Sequence, residues 1–352
     1  MYVRRIGSND NGDTPSMPFP FRFSSFFNVR LLAAAMAILA LNSAFAQTTP
    51  VSSYPAKLVR ITLPYAAGAG PAVFVRILAE QLGRQWGQQV IVDARPGASG
   101  FIAIEAVKKM APDGYELLVA SNAHAAINPW LYKKVPYDIQ TDFVPIGMIY
   151  TTPFFVTVSS TGPYQTVPAL IAGAKANPGK LSIGTPYVGS PADLGAAMFE
   201  SLTGTTMIHV PFKEQPQIYP AIANNDVTWT LSTLGSALPL LNAGKVKLLA
   251  IAGPKRSPNA PDVPTFQEAG GPPGLEVTSW MGMFGPKGMS ADLQSKINDA
   301  LAKALNDPQV REHLKQLGFE PYITSSQEMA AVIKTDLQRY GEIVKRTGAT
   351  AD

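Results

Sequence analysis

The chain has no cysteine, which excludes a disulfide framework, a thiol nucleophile and a thiolate metal site. Histidine is nearly as scarce. His124, His209 and His313 stand far apart with no carboxylate at ligand spacing, so no metal centre is expected. Charge is sparse as well, at 15% of residues. Of the net +4, half comes from Arg4, Arg5, Arg22 and Arg30 set against Asp10 and Asp13 near the N-terminus. The remainder is too small for a nucleic-acid surface, and no Lys/Arg run exists to make one. The apolar run Leu31–Leu41 is shorter than the roughly 20 residues a bilayer-spanning helix needs. What is present is ample apolar material, 46% of 352 residues, enough for two domains with packed cores.

That apolar run sits in a recognisable setting. Arg30 precedes it and Asn42-Ser43-Ala44-Phe45-Ala46 follows, so an A-x-A site ends at Ala46. Residues 1–46 are therefore expected to be an N-terminal extension and signal peptide, cleaved after Ala46, with Met1 and Met17 both open as the start. The mature chain would begin at Gln47 and be exported to the periplasm. A linker, Thr48–Tyr54, follows.

The stretch from Val59 to Arg76 is the one around which the rest is organised. Val59, Ile61 and Leu63 alternate with Arg60 and Thr62, which predicts a strand up to Pro64. Ala66-Ala67-Gly68-Ala69-Gly70 is then a loop nearly free of side chains. Pro71 suits a first helical turn, and Phe74, Ile77, Leu78, Leu82 and Trp86 recur at helical spacing until Gly87. A strand, a small-residue loop and a helix N-terminus leave backbone N–H groups facing a crevice, an anion site for phosphate or carboxylate.

The pattern repeats. Strands are expected at Gln89–Asp93, Tyr115–Ala120, Phe154–Val158, Leu181–Gly184, Met207–Val210, Val227–Leu231 and Lys247–Ala252, with helices at Ile102–Lys109, Val167–Ala176 and Ala192–Leu202. A βαβαβ order implies parallel pairing with ligand-facing loops at strand C-termini. Arg95–Gly100 is a second small-residue loop, Ser121-Asn122-Ala123-His124 closes the third strand with polar groups, and Thr185–Ser190 repeats the device further on. After Val277–Trp280 the tail is helical, with a capping box at Ser325 and Glu328 and a core stripe of Met329, Ile333, Leu337, Tyr340 and Val344.

Enzymatic readings find little support. Gly68-x-Gly70 followed by Asp93 resembles half a dinucleotide fingerprint, but Val73 holds the third glycine position. Ser190 with Asp193 is a tempting hydrolase pair without a G-x-S-x-G elbow, and Asp193 is more simply an acid complementing a helix dipole. His124 is expected to face the crevice, His209 to be a satisfied core residue and His313 to be solvated. No catalysis and no cofactor are expected.

From Tyr54 onward the chain resembles the extracytoplasmic substrate-binding proteins of the tripartite tricarboxylate transporters, the Bug-type proteins. The resemblance rests on Tyr54-Pro-Ala-Lys57 with Leu63-Pro-Tyr65, Arg95-Pro-Gly-Ala98, Ala111-Pro-Asp-Gly-Tyr115, Ile127-Asn-Pro129, Leu131 through Asp138, Lys180-Leu181, His209-Val-Pro-Phe-Lys213, Ser236-Ala-Leu-Pro239, Lys255-Arg-Ser257, Pro261-Asp-Val-Pro-Thr265 and Ser279-Trp280. It implies an α/β, two-domain periplasmic-binding-protein fold, type II-like, each domain a mixed, mainly parallel sheet flanked by helices. The domains would be 55–155 with 278–352, and 156–277. The resemblance also implies capture of a small organic carboxylate, held largely by backbone N–H groups and waters, and delivery to membrane permease subunits by a monomer. A periplasmic sensor presenting the ligand to a signalling receptor is the alternative.

The ligand loops so implied are the two isolated above. The first contributes Tyr65, Ala66, Gly68, Ala69, Gly70 and Ala72; the second contributes Thr185, Tyr187, Gly189, Ser190 and Ala192; Ser121, Asn122 and Ser232 stand beside them. Departures from the family pattern bear on the ligand. The first loop lacks the usual acid, Ser232 replaces a common Asp, Phe101 stands where an Asn is common, and Pro186-Tyr187 stand where Ser and Gly are usual. Fewer acids argue against an ammonium-bearing ligand. Added rings suit an aromatic dicarboxylate such as terephthalate.

Overall fold

Residues 53–186, 189–212 and 217–351 are described by a computed structural model. The expected leader, 1–46, and most of the linker lie outside the described residues. Tyr54, at the linker's end, is a core residue whose hydroxyl donates to the Gly114 carbonyl at 2.7 Å.

β1 (Val59–Leu63) lies between β2 (Val90–Ala94) and β3 (Glu116–Ser121), all parallel. Val59, Ile61 and Leu63 of β1 are buried as their spacing predicts, but Thr62 is buried too, so only Arg60 departs from full burial. α1 (Gly70–Trp86) and α2 (Phe101–Lys108) are the right-length crossovers. α1 buries Phe74, Val75, Leu78 and Leu82 and ends at Gly87, whose φ of 62° is left-handed. Two short helices, α3 (Asn128–Leu131) and α4 (Ile139–Asp142), lead into β4 (Phe143–Ser159).

A second parallel triple follows, with β5 (Ser182–Thr185) between β6 (Ile208–Pro211) and β7 (Trp229–Thr233). Its connections include α5 (Val167–Ala176), α6 (Pro191–Thr203) and α7 (Ile218–Ala223), and then come α8 (Leu234–Asn242) and β8 (Val246–Ile251). β9 (Thr278–Pro286), α9 (Ala291–Leu305), α10 (Pro308–Gln316), β10 (Glu320–Pro321) and α11 (Ser326–Thr347) complete the chain. The strand order is β2-β1-β3-β9-β4-β7-β5-β6, with β8 and β10 also on β4. The fold is thus α/β, a mixed sheet flanked by helices.

The two parallel triples are joined by an antiparallel spine. β9 runs antiparallel to β3 and to the Phe143–Pro153 half of β4, whereas Phe154–Val158 of β4 pairs with β7. One core gathers around Leu63, Phe74, Leu78, Met283 and Ile297, and another around Val156, Ile183, Phe199, Trp229 and Phe266. In the second, Phe199 lies 4.5 Å from Trp229 and 5.3 Å from Phe266 between ring centroids. Each such buried ring contributes about 1.5–3 kcal/mol.

Only the Phe154–Val158 half of β4 is legible from the residues. Phe143–Pro153 carries Pro145, Gly147 and Pro153, which break the strand signal. The register shifts between Pro145 and Gly147 and again between Met148 and Tyr150. The bulge is fed from outside: Asn298 Nδ2 donates to the Ile146 carbonyl at 2.7 Å and to the Thr324 carbonyl at 2.9 Å. No helix among the described residues is long and apolar enough to cross a membrane.

Candidate functional site

The first loop leaves β1 through buried Pro64 and half-buried Tyr65, then surfaces at Ala66 and Gly68. The Ala69 N–H donates to the Ala66 carbonyl at 2.9 Å, and the Val73 N–H closes the first helical bond to Ala69 at 3.0 Å. Ala69 is the N-cap and offers no side-chain acceptor, and no acid occupies the first turn of α1. The N–H groups of Gly70 and Ala72 therefore have no intrahelical partner. By contrast α5, α6, α9, α10 and α11 are capped by the side chains of Thr166, Ser190, Ser290, Asp307 and Ser325. α1 thus presents the positive end of a 17-residue helix to whatever anion arrives. Arg76 adds a cation to the rim by donating to the Ala67 carbonyl at 2.8 Å. Neither glycine here is demanded by packing: a Cβ at Gly68 would meet nothing within 4 Å, and at Gly70 only Phe319 Cζ at 3.6 Å.

The second loop follows β5. Thr185 is buried, and its hydroxyl has no partner among the described residues. Tyr187 and Val188 lie outside the described residues. Gly189 adopts a φ of 77°, and a Cβ there would collide with Leu131 at the end of α3. Ser190 Oγ accepts from the Asp193 N–H at 3.1 Å and caps α6, whose first turn buries Ala192. Asp193 Oδ2 accepts from the Gly189 N–H at 2.8 Å, while Oδ1 stands 2.8 Å from His209 Nδ1. The other ring nitrogen, Nε2, is 2.9 Å from Glu200 Oε2. These two carboxylates push the His209 imidazole up to about 9. His209 is therefore a half-buried cation; both ring nitrogens are satisfied, as expected, but by two carboxylates at a half-exposed position and not within the core. The reason is that Asp193 and Glu200, two helical turns apart, project from one face of α6 toward β6. The Ser190–Asp193 pair is a capping device, and it contains no nucleophile–base bond.

Ser121 and His124 support the first loop from beneath. The Ser121 N–H points at His124 Nδ1 at 3.3 Å and its hydroxyl is 2.9 Å away. Nδ1 thus accepts and the proton resides on Nε2. Burial pushes His124 down to about 4, so it is neutral at pH 7. Its ring stands edge-on to Tyr65 at 5.6 Å and fills the space where a side chain at Gly100 would sit, 2.6 Å from Nε2. His124 lies in a π-helical turn, Ala123–Ile127, a distortion frequent at functional sites.

The remaining residues are committed elsewhere. The Asn122 amide donates to the Thr278 carbonyl and the Tyr340 hydroxyl and accepts from Ser279, binding β3 to β9 and α11. Ser232 is fully buried with its hydroxyl 2.5 Å from that of Thr157. Phe101 packs edge-on against Tyr132 and Tyr137. Among the described residues no group of three His, Asp or Glu side chains is placed to hold a metal ion. Residue spacing did not reveal the His209–Asp193–Glu200 chain or the support given by His124. The seven-residue interval between two acids on one helix was the available signal.

Residues 74–349 match the model of the tripartite tricarboxylate transporter family receptor. BugT of Bordetella pertussis is 29% identical over 323 residues, covering 92% of this chain and 99% of BugT. The R. palustris protein Rpa4515, solved with adipate, is similar at 30% identity and a TM-score of 0.74, covering 84% of this chain and 99% of that one. MatC of Rhodopseudomonas palustris, solved with bound malate, is similar at 26% identity and a TM-score of 0.69, covering 83% and 100%.

Proposed function

Because the chain belongs to the tripartite tricarboxylate transporter receptor family, we propose that it captures a small organic carboxylate in the periplasm and hands it to the permease subunits of such a transporter. The family is one of solute-binding receptors, and the chain is a binding protein, not an enzyme. One observation carries the reading: α1 opens with no side-chain cap and no acid, behind a loop in which a Cβ at Gly68 would meet nothing within 4 Å. A carboxylate placed there would accept from the Gly70 and Ala72 N–H groups and meet the helix dipole. Adipate and malate in the two R. palustris neighbours support a carboxylate ligand.

In this reading residues 1–46 direct export and are removed, and the mature chain acts as a monomer. Residues 55–155 with 278–352 form one lobe and 156–277 the other, with the ligand between the loops at Tyr65–Ala72 and Thr185–Ala192. An aromatic dicarboxylate such as terephthalate is the finer assignment, and Tyr187 carries it, since Phe101 packs against neighbouring rings. Calorimetry with adipate, malate and terephthalate, with adipamide as the uncharged control, tests the reading. At least one dicarboxylate should bind and adipamide should not. Equal binding of adipamide, or no binding of any dicarboxylate, overturns it. Deleting the gene should abolish uptake; loss of transcription alone would favour the sensor.

A further inference from the structure

Asp193 and Glu200 stand on one face of α6, and His209 spans them from β6, at 2.8 Å from one and 2.9 Å from the other. With a carboxylate on each nitrogen, the ring bonds both only if both nitrogens carry protons. The second oxygen of each acid continues the chain. Asp193 Oδ2 takes the Gly189 N–H at 2.8 Å, and Glu200 Oε1 takes the Met207 N–H at 2.5 Å. The cation therefore sits at the centre of a line of charged hydrogen bonds that ends on the backbone of the second loop.

We propose that His209 is a positioning residue for ligand capture: as an imidazolium held between Asp193 and Glu200, it fixes the carboxylate that clamps Gly189 and neutralises that carboxylate beside an anion-binding loop. This rests on the reading that the second loop receives a ligand carboxylate. Two effects follow from losing the cation. The Asp193 carboxylate is freed to rotate, so the Gly189 N–H loses its anchor. Its charge also stands uncompensated next to the place where another anion must bind, which disfavours that anion. The charged groups bonded to His209 are Asp193 and Glu200 from α6, and Arg346 from α11 lines the same cavity, of about 470 Å³, which leaves the cluster open to solvent.

The test uses the mature chain with adipate as probe, measured by calorimetry from pH 7 to pH 10, together with amide exchange of Gly189 in the ligand-free protein. Wild-type affinity should fall about tenfold as His209 loses its proton, the size of one charge-assisted hydrogen bond. His209→Gln should bind about tenfold more weakly at pH 7, with a flat pH profile, and its Gly189 amide should exchange faster while core amides of β7 do not change. His209→Lys, which keeps the charge, should recover part of the affinity. Wild-type affinity and pH profile in His209→Gln would overturn the proposal. If the wild type binds no adipate, the ligand reading is what fails, and Gly189 exchange still decides the positioning role: unchanged exchange in His209→Gln overturns it. Should that variant fail to fold, the wild-type amide decides. Exchange that accelerates beyond base catalysis through the His209 titration supports the proposal, and exchange that follows base catalysis alone overturns it.

Discussion

His124 should set the acid limit of this protein. Its ring is buried edge-on against Tyr65 of the first loop, and burial lowers it from 6.5 to about 4. Between those values the unfolded chain binds a proton that the folded chain does not, so folding loses stability as pH falls. The stability is complete above 6.5 and gone below about 4. At 1.36 kcal/mol per pH decade the gap corresponds to about 3 kcal/mol, of which about 2 kcal/mol is already lost at pH 5. For a chain this size that lowers the melting midpoint by roughly 3 °C. Protonation also converts Nδ1 from acceptor to donor, opposing the Ser121 N–H that points at it. Urea unfolding followed by tryptophan fluorescence at pH 7.5 and pH 5 measures the loss. His124→Asn keeps an acceptor near the Nδ1 position and cannot titrate. It should start less stable, having left a cavity against Gly100 and Tyr65, yet lose about 2 kcal/mol less between the two pH values. An equal acid loss in both proteins would refute the assignment. His209, shifted upward to about 9, acts in the opposite sense, because its contribution is intact below 6.5 and partly lost by pH 7.5; both proteins carry it, so it cancels in the difference between them.

Three further outcomes follow from the two loops. Gly68→Val and Gly70→Val should leave the melting midpoint almost unchanged, since a Cβ at Gly68 meets nothing within 4 Å and one at Gly70 only Phe319 Cζ at an ordinary contact of 3.6 Å, but lower adipate affinity at least about tenfold in calorimetry by blocking approach to the α1 N-terminus. Ligand should draw the proposed lobes together about the crossing where the Phe154 N–H bonds the Val277 carbonyl at 3.2 Å; scattering should show a smaller radius of gyration with ligand, and identical profiles at saturation would argue for a rigid site. Tyr187→Ala should cost terephthalate roughly 1–3 kcal/mol and adipate little; equal small losses for both would make the ring structural.

What could be read from the residues alone follows a physical line. The first loop was legible because its chemistry is backbone chemistry: a strand, a run of alanine and glycine, and Pro71 at a helix start. These are local signals, and the uncapped α1 is their direct result. The Ser325–Glu328 capping box was legible for the same reason, and both of its bonds form. The antiparallel spine was hidden because its strands violate local rules. The first half of β4 accommodates Pro145 and Gly147 with partners far along the chain: Gln294 donates to the Pro145 carbonyl, and Asn298 and Ser326 donate to the Ile146 carbonyl. The His209 network was hidden for a related reason. Asp193 could be placed in a first helical turn from the sequence, where helix-dipole compensation explains it alone. That a histidine sixteen residues later returns to the same helix face, and turns the acid into a link between loop and cation, depends on β6 lying beside β5. Local pattern identifies a helix that opens without a cap, and tertiary pairing decides which distant charges meet at the second loop. His209 reaches the second loop only through that pairing, whereas His124 follows directly from the end of β3 and packs edge-on against Tyr65 of the first loop.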